Sequence, residues 1–198
     1  MRSLGLLGVG AAALAALAGA GCGGSHRQDA NEPPGDFPVE VAAASFPASQ
    51  RVSHPATMKI AVQNAGRRAL PGVAVTLFKT GSGTQAAAFA ETSEQPGLAS
   101  SSRPIWVVQD GPPGGDTVYA NTWALGPLAA GKTRTFAWHV TPIRGGRYSV
   151  SYRVAAGLTG RAKAVAPGGG PVGGRFTVRI DDTPGTASIA PDGAVENR

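Results

Sequence analysis

The segment RYSVSYRV, Arg147 to Val154, has a period of two. Tyr148, Val150, Tyr152 and Val154 take alternate positions, and Arg147, Ser149, Ser151 and Arg153 fill the places between. Successive side chains of a strand point to opposite faces, so this spacing predicts a strand with one buried and one wet face. The period recurs on both sides. RTFAWHV sets Phe136, Trp138 and Val140 against Ala137 and His139, and RFTVRI sets Phe176, Val178 and Ile180 against Arg175, Thr177 and Arg179. Upstream, TMKIAV aligns Met58, Ile60 and Val62, and VAVTL aligns Val73, Val75 and Leu77. Gly and Pro punctuate the chain between these runs, and no helical period is sustained beyond the first residues. The pattern predicts an all-β fold, an antiparallel two-sheet sandwich of about seven strands over residues 38–180. Residues 80–116 break the spacing and read as an irregular insertion, with IWVV as a short strand inside it. Residues 181–198 read as a tail or a short hairpin around Pro191-Asp192-Gly193.

The N-terminus has a different logic. Arg2 precedes an uncharged run of Leu, Ala, Gly and Val from Leu4 to Gly21, which ends in small residues before the single cysteine, Cys22. A basic start, an apolar middle and a small-residue end predict a helical signal peptide over residues 1–21. Residues 22–37 are rich in Gly, Pro and polar side chains and read as a flexible tether. Leu17 to Cys22 resembles the lipobox of bacterial lipoproteins, with Gly19 where that family usually carries Leu. The resemblance implies lipidation of Cys22, export, and anchoring through the N-terminal lipid to the outer face of the cytoplasmic membrane. The alternative is ordinary secretory cleavage near Ala18-Gly19-Ala20, which leaves Cys22 as a free thiol. With one cysteine the chain forms no internal disulfide, so stability rests on packing, for which 42% hydrophobic residues suffice.

IAVQNAGRRALPGVAVTL and LGPLAAGKTRTFAWHVTPIRGGRYSVSYRVAAG resemble bacterial immunoglobulin-like envelope modules of the CARDB type. In that family an N-x-G turn joins two strands and a G-x-Y run enters a late strand. The resemblance implies an immunoglobulin-like sandwich and, because such folds carry many roles, little about activity. The whole chain also resembles lipoproteins of high-GC Gram-positive bacteria. Together these imply a non-catalytic adhesion or protein-interaction module of the cell envelope. A glycan-binding module and an accessory subunit of a secreted enzyme or transporter are the alternatives.

Chemistry-bearing motifs are few. GPLAAGKT, Gly126 to Thr133, satisfies the phosphate-loop pattern, but that chemistry needs a helix after the loop, and here a strand pattern follows. No nucleotide or other cofactor is expected. His26, His54 and His139 lie far apart, so no metal site is expected either, and no catalytic set assembles. Trp138 and Trp123 read as core, whereas Trp106, beside the insertion, is the candidate for an exposed ring that stacks on a ligand. Arg147 and Arg153 share one strand's wet face, and Arg175 and Arg179 another's. If those strands are neighbours, the four form a positive patch suited to anionic lipid or an anionic wall polymer. The net charge of +6 agrees with anionic surroundings, but only 15% of residues are charged, which argues against nucleic acid.

Overall fold

The computed structural model describes residues 32–79, 89–91, 104–119, 121–183, 187–189, 191 and 195–197. The signal peptide, Cys22, the first part of the tether and most of the insertion lie outside them. The strands, in chain order, are β1 (Gly35–Ser45), β2 (Ser49–Arg51), β3 (Ala56–Asn64), β4 (Ala74–Lys79) and β5 (Phe89–Glu91). Then come β6 (Trp106–Asp110), β7 (Asp116–Tyr119), β8 (Thr122–Ala124), β9 (Thr133–Pro142) and β10 (Gly146–Ala155). Last are β11 (Ala162–Val165), β12 (Gly173–Asp181), β13 (Ala187–Ile189) and β14 (Val195–Asn197).

Two six-stranded sheets form an immunoglobulin-like sandwich, one ordered β11-β1-β3-β9-β6-β5 and the other β2-β12-β10-β4-β8-β7. The long alternating strands occupy the middle of each sheet, where both neighbours satisfy their main-chain groups. Short strands of three to five residues fill the edges, which is why more strands form than alternation alone predicts. The sheets are also mixed rather than purely antiparallel: β1 with β11, β12 with β2, and β5 with β6 run parallel. In the tail, β13 and β14 pair antiparallel as a hairpin.

The inward residues are those the alternation selects. Met58, Ile60, Val62, Phe136, Trp138 and Val140 from one sheet face Val75, Leu77, Val150, Val154, Val178 and Ile180 from the other, all buried. Trp138 stacks on Phe136 at 5.8 Å and meets Trp123 edge-on at 5.5 Å. Asn64 is the buried polar hub of the N-x-G turn. Its amide donates to Arg68 O and Leu128 O at 2.8 and 2.9 Å, and its Oδ1 accepts from Gly66 N. That ties the turn after β3 to the GPLAAGKT segment, which passes through Gly126 and Gly131 at positive φ and runs directly into β9. No helix follows the loop, so a phosphate loop's geometry is not formed.

The tether ends earlier than residue 37. Glu32 is only 4% exposed, and its carboxylate accepts from the main-chain N–H groups of Leu158, Thr159 and Ala162 at 2.7, 3.0 and 2.8 Å. Burial pushes the Glu32 carboxyl up, but the donors of Thr159, Ala162 and Leu158 outweigh it and hold the group below the usual carboxylate range. Gly157 has no side chain for a simple reason: a Cβ there would run into the Glu32 carboxylate. Three residues on, Gly35 enters β1 and pairs with Ala162, so the chain from residue 32 onward is part of the sandwich.

Candidate functional site

β10 and β12 are neighbours, and their register places Arg147 opposite Arg179, Ser149 opposite Thr177, Ser151 opposite Arg175, and Arg153 opposite Gly173. Directly opposed residues share a face, and Tyr148, Val178 and Ile180 point inward, so all four arginines point out. Each is exposed. Gly173 is obligatory, because a Cβ there would strike the Tyr152 carbonyl. The chain crosses from the first sheet to the second at Phe46-Pro47-Ala48 and adds β2 beside β12. β2 pairs Ser49 with Arg179 and Arg51 with Asp181, so a fifth arginine, Arg51, joins the same face. Sequence reading missed Arg51 because SQR is too short to show a period.

The five guanidiniums fall into two groups. Arg175 Nε donates to Ser151 Oγ at 3.4 Å, and Arg153 lies over the Phe78 ring at 5.8 Å. Their own sheet holds these two. Among the described residues, Arg51, Arg147 and Arg179 have no hydrogen bond or ion pair to their guanidiniums. Asp181 is the acid on these three strands' outer face. Its Oδ1 accepts from Thr183 N at 3.0 Å. That bond, more than the positive fields of Arg51 and Arg179, holds its carboxyl below the usual range. At this end of the sheet a cleft of about 590 Å³ is lined by Gln50, Arg51, His54, Arg179 and Asp181, with Pro47 and Pro55 among its walls.

Trp106 does not serve as an exposed ring. It is 0% exposed. β6 extends the first sheet beside β9 and aims the indole inward, against Phe46 at 5.5 Å, Phe89 at 5.8 Å and Tyr148 at 5.9 Å. Its Nε1 donates to Gln50 Oε1 at 2.7 Å, so the indole's polar atom is satisfied from the rim of the cleft. Gln50 in turn donates to Pro47 O at 2.9 Å. Trp123 and Trp138 are core. His139 is exposed, with Nδ1 4.0 Å from Asp110 Oδ2 on the neighbouring strand β6 of the same sheet. Among the described residues no three His, Cys, Asp or Glu side chains gather as metal ligands. Cys22 and His26 lie outside the described residues.

No family model matches the chain, and no curated protein matches it. Solved structures resemble it at low identity. A CARDB domain of Pyrococcus furiosus, solved in complex with di-metal ions, is 16% identical, with a TM-score of 0.44 over 77% of this chain and 97% of that one. The solution structure of the same domain is 20% identical, with a TM-score of 0.39 over 76% and 97%. A fragment of native alpha-2-macroglobulin from Escherichia coli is 14% identical, with a TM-score of 0.43 over 80% of this chain and 21% of that chain.

Proposed function

We propose that the chain is a non-catalytic interaction module of the cell envelope, exported and lipid-anchored through Cys22 to the outer face of the cytoplasmic membrane. Its sandwich presents the arginine-bearing face of the second sheet to a protein partner. The observation that carries this reading is the face itself: five exposed arginines and one acid on three adjoining strands, over a tightly packed core. A rigid sheet fixes the spacing of such charges before binding, which lowers the entropic cost of association. Charge of one sign raises the association rate for an acidic partner and makes the complex salt-sensitive. The candidate of a glycan module built on Trp106 loses its residue, since that ring is in the core.

The test uses the full chain as bait in envelope extract. We expect one acidic protein retained by the wild type and released as salt is raised, and lost when Arg153→Glu is combined with Arg179→Glu. Retention indifferent to that double reversal would remove the face from the reading. For the anchor, Cys22→Ser is expected to move the chain from the membrane fraction to the soluble one; continued membrane association would argue for an uncleaved helix.

A further inference from the structure

The division among the five arginines has a chemical consequence. Arg175 and Arg153 are engaged by Ser151 and Phe78, whereas Arg51, Arg147 and Arg179 keep their donors unused among the described residues. Arg147 and Arg179 stand directly opposite each other across a strand pair, an arrangement that disfavours the sheet when both are charged. Arg51 lies diagonally beyond Arg179, one strand further out. An anion seated among them turns that repulsion into attraction.

The geometry favours a phosphoryl group over a carboxylate. A single guanidinium satisfies both oxygens of a carboxylate, but a phosphoryl group has enough oxygens to engage arginines from separate strands at once. The cleft of about 590 Å³ exceeds the volume of a bare phosphate severalfold, which leaves room for a larger molecule that carries the group. The rim is prebuilt. Gln50 is pinned by Trp106 and Pro47 O, and Pro47 and Pro55 stiffen the wall. Asp181 lines the same cleft; Thr183 holds its carboxylate through the main-chain N–H and the hydroxyl, and an ionised carboxylate has lone pairs enough to accept a further hydrogen bond from the ligand.

We propose that this cleft is a subsite for the phosphate ester of a polyol: Arg51 and Arg179 take the phosphoryl oxygens, Arg147 reinforces them from the next strand, and Asp181 accepts from a hydroxyl of the same molecule. The subsite goes beyond the protein-partner reading and does not rest on it. Such an ester comes either from a lipid headgroup or from a soluble or polymeric polyol phosphate.

The test is an NMR titration of the 15N-labelled full chain with glycerol 3-phosphate, and separately with glycerate, which carries a carboxylate on a similar polyol. Expected are saturable shifts at the amides of Gln50, Arg51, Arg179 and Asp181 in glycerol 3-phosphate. Glycerate should bind at least fivefold more weakly. Arg51→Gln and Arg179→Gln should each weaken binding about tenfold without moving the unfolding midpoint. Arg134→Gln, the same loss of charge on β9 of the opposite sheet, should change it less than twofold. Equal affinity for glycerate, equal loss in Arg134→Gln, or shifts that never saturate would each overturn the subsite. Vesicles of phosphatidylglycerol in phosphatidylcholine separate the sources. Displacement of the wild type, but not of Arg179→Gln, from vesicles by glycerol 3-phosphate assigns the headgroup, and saturable binding without displacement assigns the soluble ester. A failed titration alongside intact partner retention defeats the subsite alone, and the converse defeats the protein-partner reading alone.

Discussion

Replacing Glu32 by Ala tests whether the N-terminal edge of the sandwich is clamped as the geometry requires. The side chain accepts three main-chain hydrogen bonds, from Leu158, Thr159 and Ala162, at 2.7 to 3.0 Å. A hydrogen bond to a charged group contributes about 1.5–3 kcal/mol net. Simple addition overstates the loss, because the Leu158 and Thr159 donors lie in the loop before β11 and regain water once the side chain is gone. About 1 kcal/mol per bond, or about 3 kcal/mol in all, is the expected cost. For a domain of this size that lowers the thermal midpoint by about 6–12 °C. Glu32→Gln keeps one acceptor and places an NH2 against a donor, so it should lose about half as much.

Acidity separates the clamp from ordinary packing. The Glu32 carboxyl titrates below its unfolded value, because the three donors overcome the effect of burial. Its stabilisation is therefore complete above the unfolded value of about 4.3 and is lost as the pH falls through the folded one. Thermal unfolding of wild type and Glu32→Ala, followed by circular dichroism from pH 7 to pH 3, should show a constant gap down to about pH 4.3 that narrows below it. Amide exchange at Leu158, Thr159 and Ala162 should accelerate in the variant at neutral pH. A gap that persists unchanged to pH 3, or no gap at all, would mean that the Glu32 carboxylate does not clamp this edge.

Two further substitutions probe the interior. Asn64→Ala removes two donated bonds and one accepted bond at a fully buried site and should cost about 2–4 kcal/mol. Asn64→Asp should cost more, since it buries a charge facing the carbonyls of Arg68 and Leu128; urea unfolding measures both, and equal stability of the two variants would contradict the hub. Trp106→Ala should lose about 3–5 kcal/mol through the cavity it opens among Phe46, Phe89 and Tyr148. An unchanged midpoint in that variant would mean the indole is not core.

The central strands were legible because alternation survives wherever one face is buried and the other wet. In β10 and β12, Tyr148, Val150, Val178 and Ile180 mark the inner face, so their partners in the period had to face water. The edges were not legible. β2, β5 and β8 have three residues each, too few for a period, and their parallel or antiparallel pairing is set by neighbours distant in the chain. Trp106 misled for a related reason: beside an irregular stretch its burial depends on Phe89 and Phe46, which no local pattern ties to it. Glu32 was illegible in principle. Its partners are main-chain N–H groups at least 126 residues away, and a main-chain donor leaves no trace in residue type. Only Gly157, whose missing side chain makes room for the carboxylate, carries a sequence signal for it.

Trp106 still bears on the outer face, though by a different route from stacking on a ligand. Gln50 pairs with Ile180 in the β2–β12 register, so its side chain turns inward while Ser49 and Arg51 on either side turn out. The indole N–H fixes Gln50, and Gln50 fixes Pro47 O, at the point where the chain crosses between sheets. Arg51 follows immediately, opposite Asp181 in the register, and among the described residues no hydrogen bond holds its guanidinium. Its placement beside Arg179 therefore depends on main-chain pairing that the core tryptophan steadies. The half of the face where arginines are held by Ser151 and Phe78 needs no such support. The half that borders the cleft has it, and that is where preorganisation would lower the cost of gathering guanidiniums around an anion.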